Sequence, residues 1–162
     1  MDDPSVRRAV ATDVPALQRL WAELIDHHAE GDSYFNRSPE AVDLHGARLH
    51  EELDQEDRLI LIAEHDSEPV GFVIAEIRAG PDLFVIGPYG FVRDLGVTRS
   101  ARRLGVGQRL YEAVLEWFAE HGVERAELDV TEANEVARRF WSRQGYRRLY
   151  TRMIVDLTEV TP

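Results

Sequence analysis

The chain contains no cysteine. That excludes disulfides, thiolate zinc sites and a cysteine nucleophile together. No apolar run reaches about 18 residues, so no membrane span is predicted. The start, MDDPSVRRAV, lacks an apolar stretch behind its charges and does not read as a secretory signal. Basic residues are outnumbered: 19 Lys and Arg stand against 30 Asp and Glu, a net charge of -11. Nucleic-acid binders carry a basic face, and here only the stretches 99–109 and 138–148 are locally basic. An acidic body with two basic islands fits a small anionic ligand better than a duplex, and its field favours cationic substrates. His45 and His50 lack zinc spacing and a third ligand, so no metal is expected.

What remains suffices for one domain. There are 162 residues, 44% of them hydrophobic and 30% charged, and no repeat, linker or composition break divides them. A single domain over residues 3–160 is expected. SVRRA is a short strand candidate. Thr12 or Asp13 then caps an amphipathic helix carrying Leu17, Leu20, Trp21, Leu24 and Ile25 at helical spacing. A second helix opens at Ser38-Pro39-Glu40 and runs to about Glu56. LILIAEH and PVGFVIAEI, split by DSEP, form an antiparallel hairpin. YGFVRDLGV is a fourth strand. A helix follows from about Gly105 to Gly122, with Val106, Leu110, Val114, Leu115 and Phe118 on one face. RAELDV is a strand, Glu135 to Gln144 a short helix, and YRRLY and TRMIVDL closing strands. The order is β-α-α-β-β-β-α-β-α-β-β, an α/β domain with a mixed sheet.

RRLGVG, residues 102–107, stands between the fourth strand and its helix. Glycine costs about 1 kcal/mol against alanine inside a helix, so two of them at a helix start point to a close backbone approach. Free N–H groups and the positive end of the helix dipole make an anion cradle there, suited to phosphate or pyrophosphate. A P-loop is excluded, because no Lys and no Ser or Thr follow Gly107. A dinucleotide fingerprint needs a third glycine where Leu110 stands.

The pattern R-x-x-G-x-G, with Arg102, Gly105 and Gly107, is followed by Asn134, Ala137, Phe140 and Gly145-Tyr146. With the element order, these residues resemble the GNAT superfamily of acyl-CoA-dependent N-acetyltransferases, most specifically over Val92 to Tyr146. The resemblance implies a mostly antiparallel central sheet with flanking helices and acetyl-CoA as cosubstrate. It implies a pyrophosphate cradle of backbone N–H groups from Arg103 through Leu104, Gly105, Val106 and Gly107 to Gln108, with charge from Arg102. The fourth strand would splay from the fifth, and the backbone of Leu95 and Val97 would pair with the pantetheine arm. The Val97 N–H would polarise the thioester carbonyl. Asn134 would bond the pantetheine, and Phe140 would lie against the cosubstrate.

The implied reaction is direct attack of a primary amine on the thioester. Neutralising a lysine-like amine costs about 4.6 kcal/mol at pH 7, so a base is required. Members with this strand often carry E-D-L; here Arg93 holds the first position and Asp94 the second. Asp94 is the first candidate for the base and Glu76, expected at the surface, the second. The tyrosine that usually serves as acid is replaced by Trp141, whose indole is no proton-transfer acid; Tyr89, Tyr111 and Tyr150 are the other tyrosines considered. His28, Tyr34 and Phe35 lie where an acceptor would bind. The acceptor is left open among a small metabolite, a polyamine-like molecule, an antibiotic and a peptide terminus, in a cytoplasmic homodimer. An acyl-CoA-binding regulatory module with little turnover is the alternative.

Overall fold

The computed structural model describes residues 3–158. Five strands pair in sequence order within one sheet: β1 (Ser5–Arg8), β2 (Arg58–His65), β3 (Glu68–Arg78), β4 (Tyr89–Val97) and β5 (Ala126–Leu128). The first four are antiparallel, and β5 joins β4 in parallel. Parallel neighbours need a crossover, which helix α3 (Val106–Glu120) supplies. Helices α1 (Val14–Gly31) and α2 (Ala41–Glu52) connect β1 to β2, and α4 (Glu135–Arg143) follows β5.

The unbroken apolar runs of β2 and β3 follow from burial on both faces. Successive side chains of a strand alternate between faces. Leu59, Leu61, Ala63, Val73 and Ala75 pack with α3 through Val106, Leu110, Val114 and Phe118. Ile60, Ile62, Phe72 and Ile74 pack with Leu17 and Leu20 of α1 and Leu49 of α2. Helices therefore cover both faces of the sheet.

Two irregularities place the site. The β3–β4 register slips between Ile74↔Asp94 and Ala75↔Val92, leaving Arg93 as the extra residue of a β-bulge. Bulges bend a strand and re-aim its side chains. The β4–β5 ladder is also short, pairing only Gly90, Val92 and the residue between them with Ala126–Leu128. Beyond the bulge, β4 has lost its partner on that edge.

The mixed, mostly antiparallel sheet with flanking helices is the expected architecture, with some differences. α2 is shorter than expected, starting at Ala41 and ending at Glu52. Leu115 of α3 is exposed, and Tyr111 and Trp117 are buried in the core instead. The two closing strands do not form among the described residues: YRRLY and TRMIVDL join no sheet. β5 is only three residues long and offers a closing strand few ladder bonds. Leu149, Tyr150, Met153, Ile154, Val155 and Leu157 are all exposed.

Candidate active site

The split edge of β4 carries unpaired backbone groups. The Thr98 N–H donates to the Val70 carbonyl at 2.9 Å. Alternate amides of a strand point to opposite edges. The N–H groups of Val97 and Leu95 therefore point away from β3, into the gap left by the short β5. A half-buried, open sheet edge of this kind invites an extended ligand to add itself as a strand.

The α3 N-terminus faces the same gap. Its first residue, Val106, is 1% exposed and anchors the helix in the core. Arg109 N–H donates back to the Gly105 carbonyl. The amides of Arg103, Gly105, Val106, Gly107 and Gln108 donate to no acceptor among the described residues. The Leu104 amide has only a long 3.4 Å contact with the Ala101 carbonyl. Gly105 has φ +77 and Arg103 φ +73, so the turn is left-handed at two points. A Cβ on Gly107 would sit 3.7 Å from Leu95, 3.8 Å from Val97 and 4.0 Å from Phe140. The cradle, the open strand edge and Phe140 thus meet at one glycine. These free donors suit a pyrophosphate, and the adjoining edge suits an amide-bearing chain such as pantetheine. The side chains of Arg102, Arg103 and Leu104 are exposed. Gln108 bonds Glu112 and accepts from Gln144, tying α3 to the end of α4.

Asn134 is the N-cap of α4, its Oδ1 accepting from the Ala137 N–H at 3.0 Å. Trp141, in the position of the usual tyrosine, is 8% exposed and packs among Tyr111, Phe140 and Tyr146. It serves the core. The Tyr111 hydroxyl donates to that of Tyr146, and burial pushes the pKa of both phenols up. Tyr150 is exposed, and Tyr89 lies beneath the Arg125 guanidinium. His28, Tyr34 and Phe35 form an edge-to-face aromatic group between α1 and the following turn.

The bulge directs Arg93 and Asp94 into a cluster of charges under α2. The Arg93 fork donates to both oxygens of Glu52, at 2.8 and 2.7 Å. Its Nε makes only a 3.4 Å contact with Asp94. Glu76, expected at the surface, is 4% exposed and pairs with Arg58, Arg78 and, at 3.8 Å, Arg93. Arg48 also bonds Glu52. Burial pushes the Asp94 pKa up against the pull of Arg93. Burial also raises that of Glu52, but bonds from Arg93 and Arg48 outweigh it and bring it down to about 2. Every cation here is arginine, as are all 19 basic residues of the chain, and arginine keeps its charge when buried. Glu52 carried no motif that would have marked it. Its one sequence signal was its place on the inner face of α2, three residues after Leu49.

His45 borders the cluster. It stacks on Trp21 at 4.2 Å, and its Nε2 is buried without a hydrogen-bond partner. Burial, helped by Arg93 and Arg48, lowers its pKa to about 4. The unfolded chain takes up this proton near pH 6.5, whereas the native state resists it down to about 4. Stability is therefore full above pH 6.5 and falls as the pH drops through that window. At pH 4.5 the loss is on the order of 2–3 kcal/mol. Urea unfolding at pH 7 and pH 4.5 should show His45→Gln losing less stability on acidification than the unchanged protein, by about this amount. An equal loss in both would mean that His45 does not carry the effect.

An open strand edge beside a helix-terminal amide cradle defines the class: an acyl-CoA-dependent N-acetyltransferase. The comparisons agree. The family model described as Acetyltransferase (GNAT) family matches residues 20–146, and the chain belongs to this family. Acetyl-CoA is its cosubstrate. An uncharacterized N-acetyltransferase of Archaeoglobus fulgidus is 29% identical over 143 residues, 88% of this chain and 92% of the relative. The BH1408 protein of Bacillus halodurans, solved as a tetramutant, matches with a TM-score of 0.83 at 25% identity, over 94% of this chain and 99% of that one. The aminoglycoside N-acetyltransferase AAC(6')-Iy, solved in complex with CoA, shares the fold at a TM-score of 0.74 and 20% identity, over 94% of this chain and 93% of that one.

Proposed function

We propose that this enzyme acetylates a cationic primary amine, and that residues 3–160 form its single catalytic domain. The observation that carries this reading is the gap between β4 and β5, bordered by the free amides of α3. Acetyl-CoA supplies the acetyl thioester. The amides from Arg103 to Gln108 hold the pyrophosphate, with Arg102 adding charge from the loop. Leu95 and Val97 pair with the pantetheine arm, Asn134 closes its far side and Phe140 lies against it. The Val97 N–H donates to the thioester carbonyl oxygen, where negative charge develops. Asp94 accepts the ammonium proton of the acceptor, directly or through a water, and frees the nucleophilic lone pair. Trp141 is buried in the core, so proton return to the thiolate is assigned to solvent.

The acceptor's charge is argued from the net charge of -11 and from Asp94. Aminoglycosides head the trial set, since some fold relatives are aminoglycoside acetyltransferases. A cytoplasmic location and a homodimer complete the proposal. The cosubstrate is an intracellular metabolite, and the exposed apolar residues from Leu149 to Leu157 suit burial against a second copy.

Calorimetric titration with acetyl-CoA, CoA and NADH, followed by CoA release over aminoglycosides, polyamines, small amines and peptides, tests this. Binding of both CoA species but not NADH, with turnover strongest on polycationic amines, is expected. Turnover confined to neutral or anionic amines would overturn the acceptor class. Sedimentation of the same preparation tests the dimer, and a monomer at tens of micromolar would remove it.

A further inference from the structure

Arg93 stands beside the candidate base, where a full ion pair would hold the carboxylate permanently charged and weakly basic. The geometry leaves that pair partial. Both terminal nitrogens of Arg93 are committed to Glu52, at 2.8 and 2.7 Å, and only Nε lies toward Asp94, at 3.4 Å. Glu52 is 6% exposed and is itself steadied by Arg48 at 2.8 Å. The bulge at Arg93 makes the arrangement possible, because an extra residue lets neighbouring side chains share one side of the strand. We propose that Glu52 is a positioning residue: it holds the guanidinium fork of Arg93, so that Asp94 keeps one weak contact with that cation and stays available to accept a proton. This rests on Asp94 being the base.

The charged groups that act on Asp94 come from α2 and from its own strand. Arg93 of its own strand and Arg48 and Glu52 of α2 act on Asp94 directly, while His45, Arg58, Glu76 and Arg78 join the cluster through Arg93, Glu52 and one another. Arg58 and Arg78 are engaged by Glu76. Arg48 is engaged by Glu52, and His45 is neutral at assay pH. Burial sets the proton affinity of Asp94 high, Arg93 is the nearest cation that opposes it, and Glu52 sets the aim of that cation.

Opposite substitutions give opposite shifts. Glu52→Gln removes a nearby negative charge and releases the Arg93 fork toward Asp94. Both effects favour the ionised carboxylate, so the acid limb of kcat/KM should move to lower pH by about one unit or more, with a lower plateau rate from the weaker base. Glu52→Asp keeps the charge and should restore the limb toward its original place. Arg93→Met removes the cation while Arg48 still pairs Glu52, so the limb should move to higher pH. Carbon-13 NMR titration of the Asp94 carboxyl, identified by its loss in Asp94→Asn, follows the same proton without turnover. A limb and a resonance that both stay in place in Glu52→Gln, whatever happens to stability, would overturn the proposal. A limb that persists in Asp94→Asn would overturn the base assignment instead, and the carboxyl titration would then decide the role of Glu52 alone.

Discussion

Gly107→Ala should weaken acetyl-CoA binding tenfold or more, about 1.4 kcal/mol, without destabilising the protein. Gly107 lies in the first turn of α3, and its added methyl would make only ordinary contacts with Leu95, Val97 and Phe140. Alanine is also the better helix former, by about 1 kcal/mol. The free protein should therefore melt at the same temperature or slightly higher. The cost arises only when phosphate oxygens must approach an amide now shielded by Cβ. Gly105→Ala behaves differently. Its φ of +77 strains any L side chain, so stability should fall by about 1 kcal/mol. The double variant should bind at least as poorly as the single one. Calorimetry beside a thermal melt separates the two effects. Unchanged affinity in a folded Gly105→Ala, Gly107→Ala protein would move the pyrophosphate to another surface.

Asp94→Asn should lower kcat by about a hundredfold or more, the usual contribution of a positioned base. The acetyl-CoA Kd should stay close to its original value, because Asp94 points under α2 whereas the cradle is built of backbone amides at α3. The change nearly preserves shape and removes the acceptor of the proton. It leaves Arg93 on its two bonds to Glu52, so the cluster should stay folded. Single-turnover acetyl transfer with saturating amine gives the chemical step directly. A rate within twofold of the original would remove Asp94 from proton transfer and turn attention to Glu76, which shares the buried cluster.

The turn and helix start proposed to hold the cosubstrate were legible because their signals are local. R-x-x-G-x-G fixes a turn and a helix start within six residues. The apolar patterns of β2, β3 and α3 set the frame that carries it. The charge cluster around Arg93 was less legible because its interactions join distant segments. Glu76 read as a surface residue on β3 until Arg58 of β2 and Arg78 enclosed it. Glu52 and Arg93 are 41 positions apart, and no spacing rule links them. The bulge that turns Arg93 toward Glu52 depends on the pairing of β3 with β4, which a single strand sequence does not display. The closing strands, which do not form among the described residues, show the same limit from the other direction. TRMIVDL has a strand's composition, but β5 is too short to provide the partner edge.

The all-arginine character of the chain matters for an enzyme that works beside a reactive thioester. Nineteen basic residues without one lysine leave no side-chain primary amine in these 162 residues. Guanidinium groups stay protonated at neutral pH and do not compete as nucleophiles. This stretch of chain thus offers its own donor no side-chain amine to acetylate. Its buried charge cluster is held together by cations that its own chemistry does not consume.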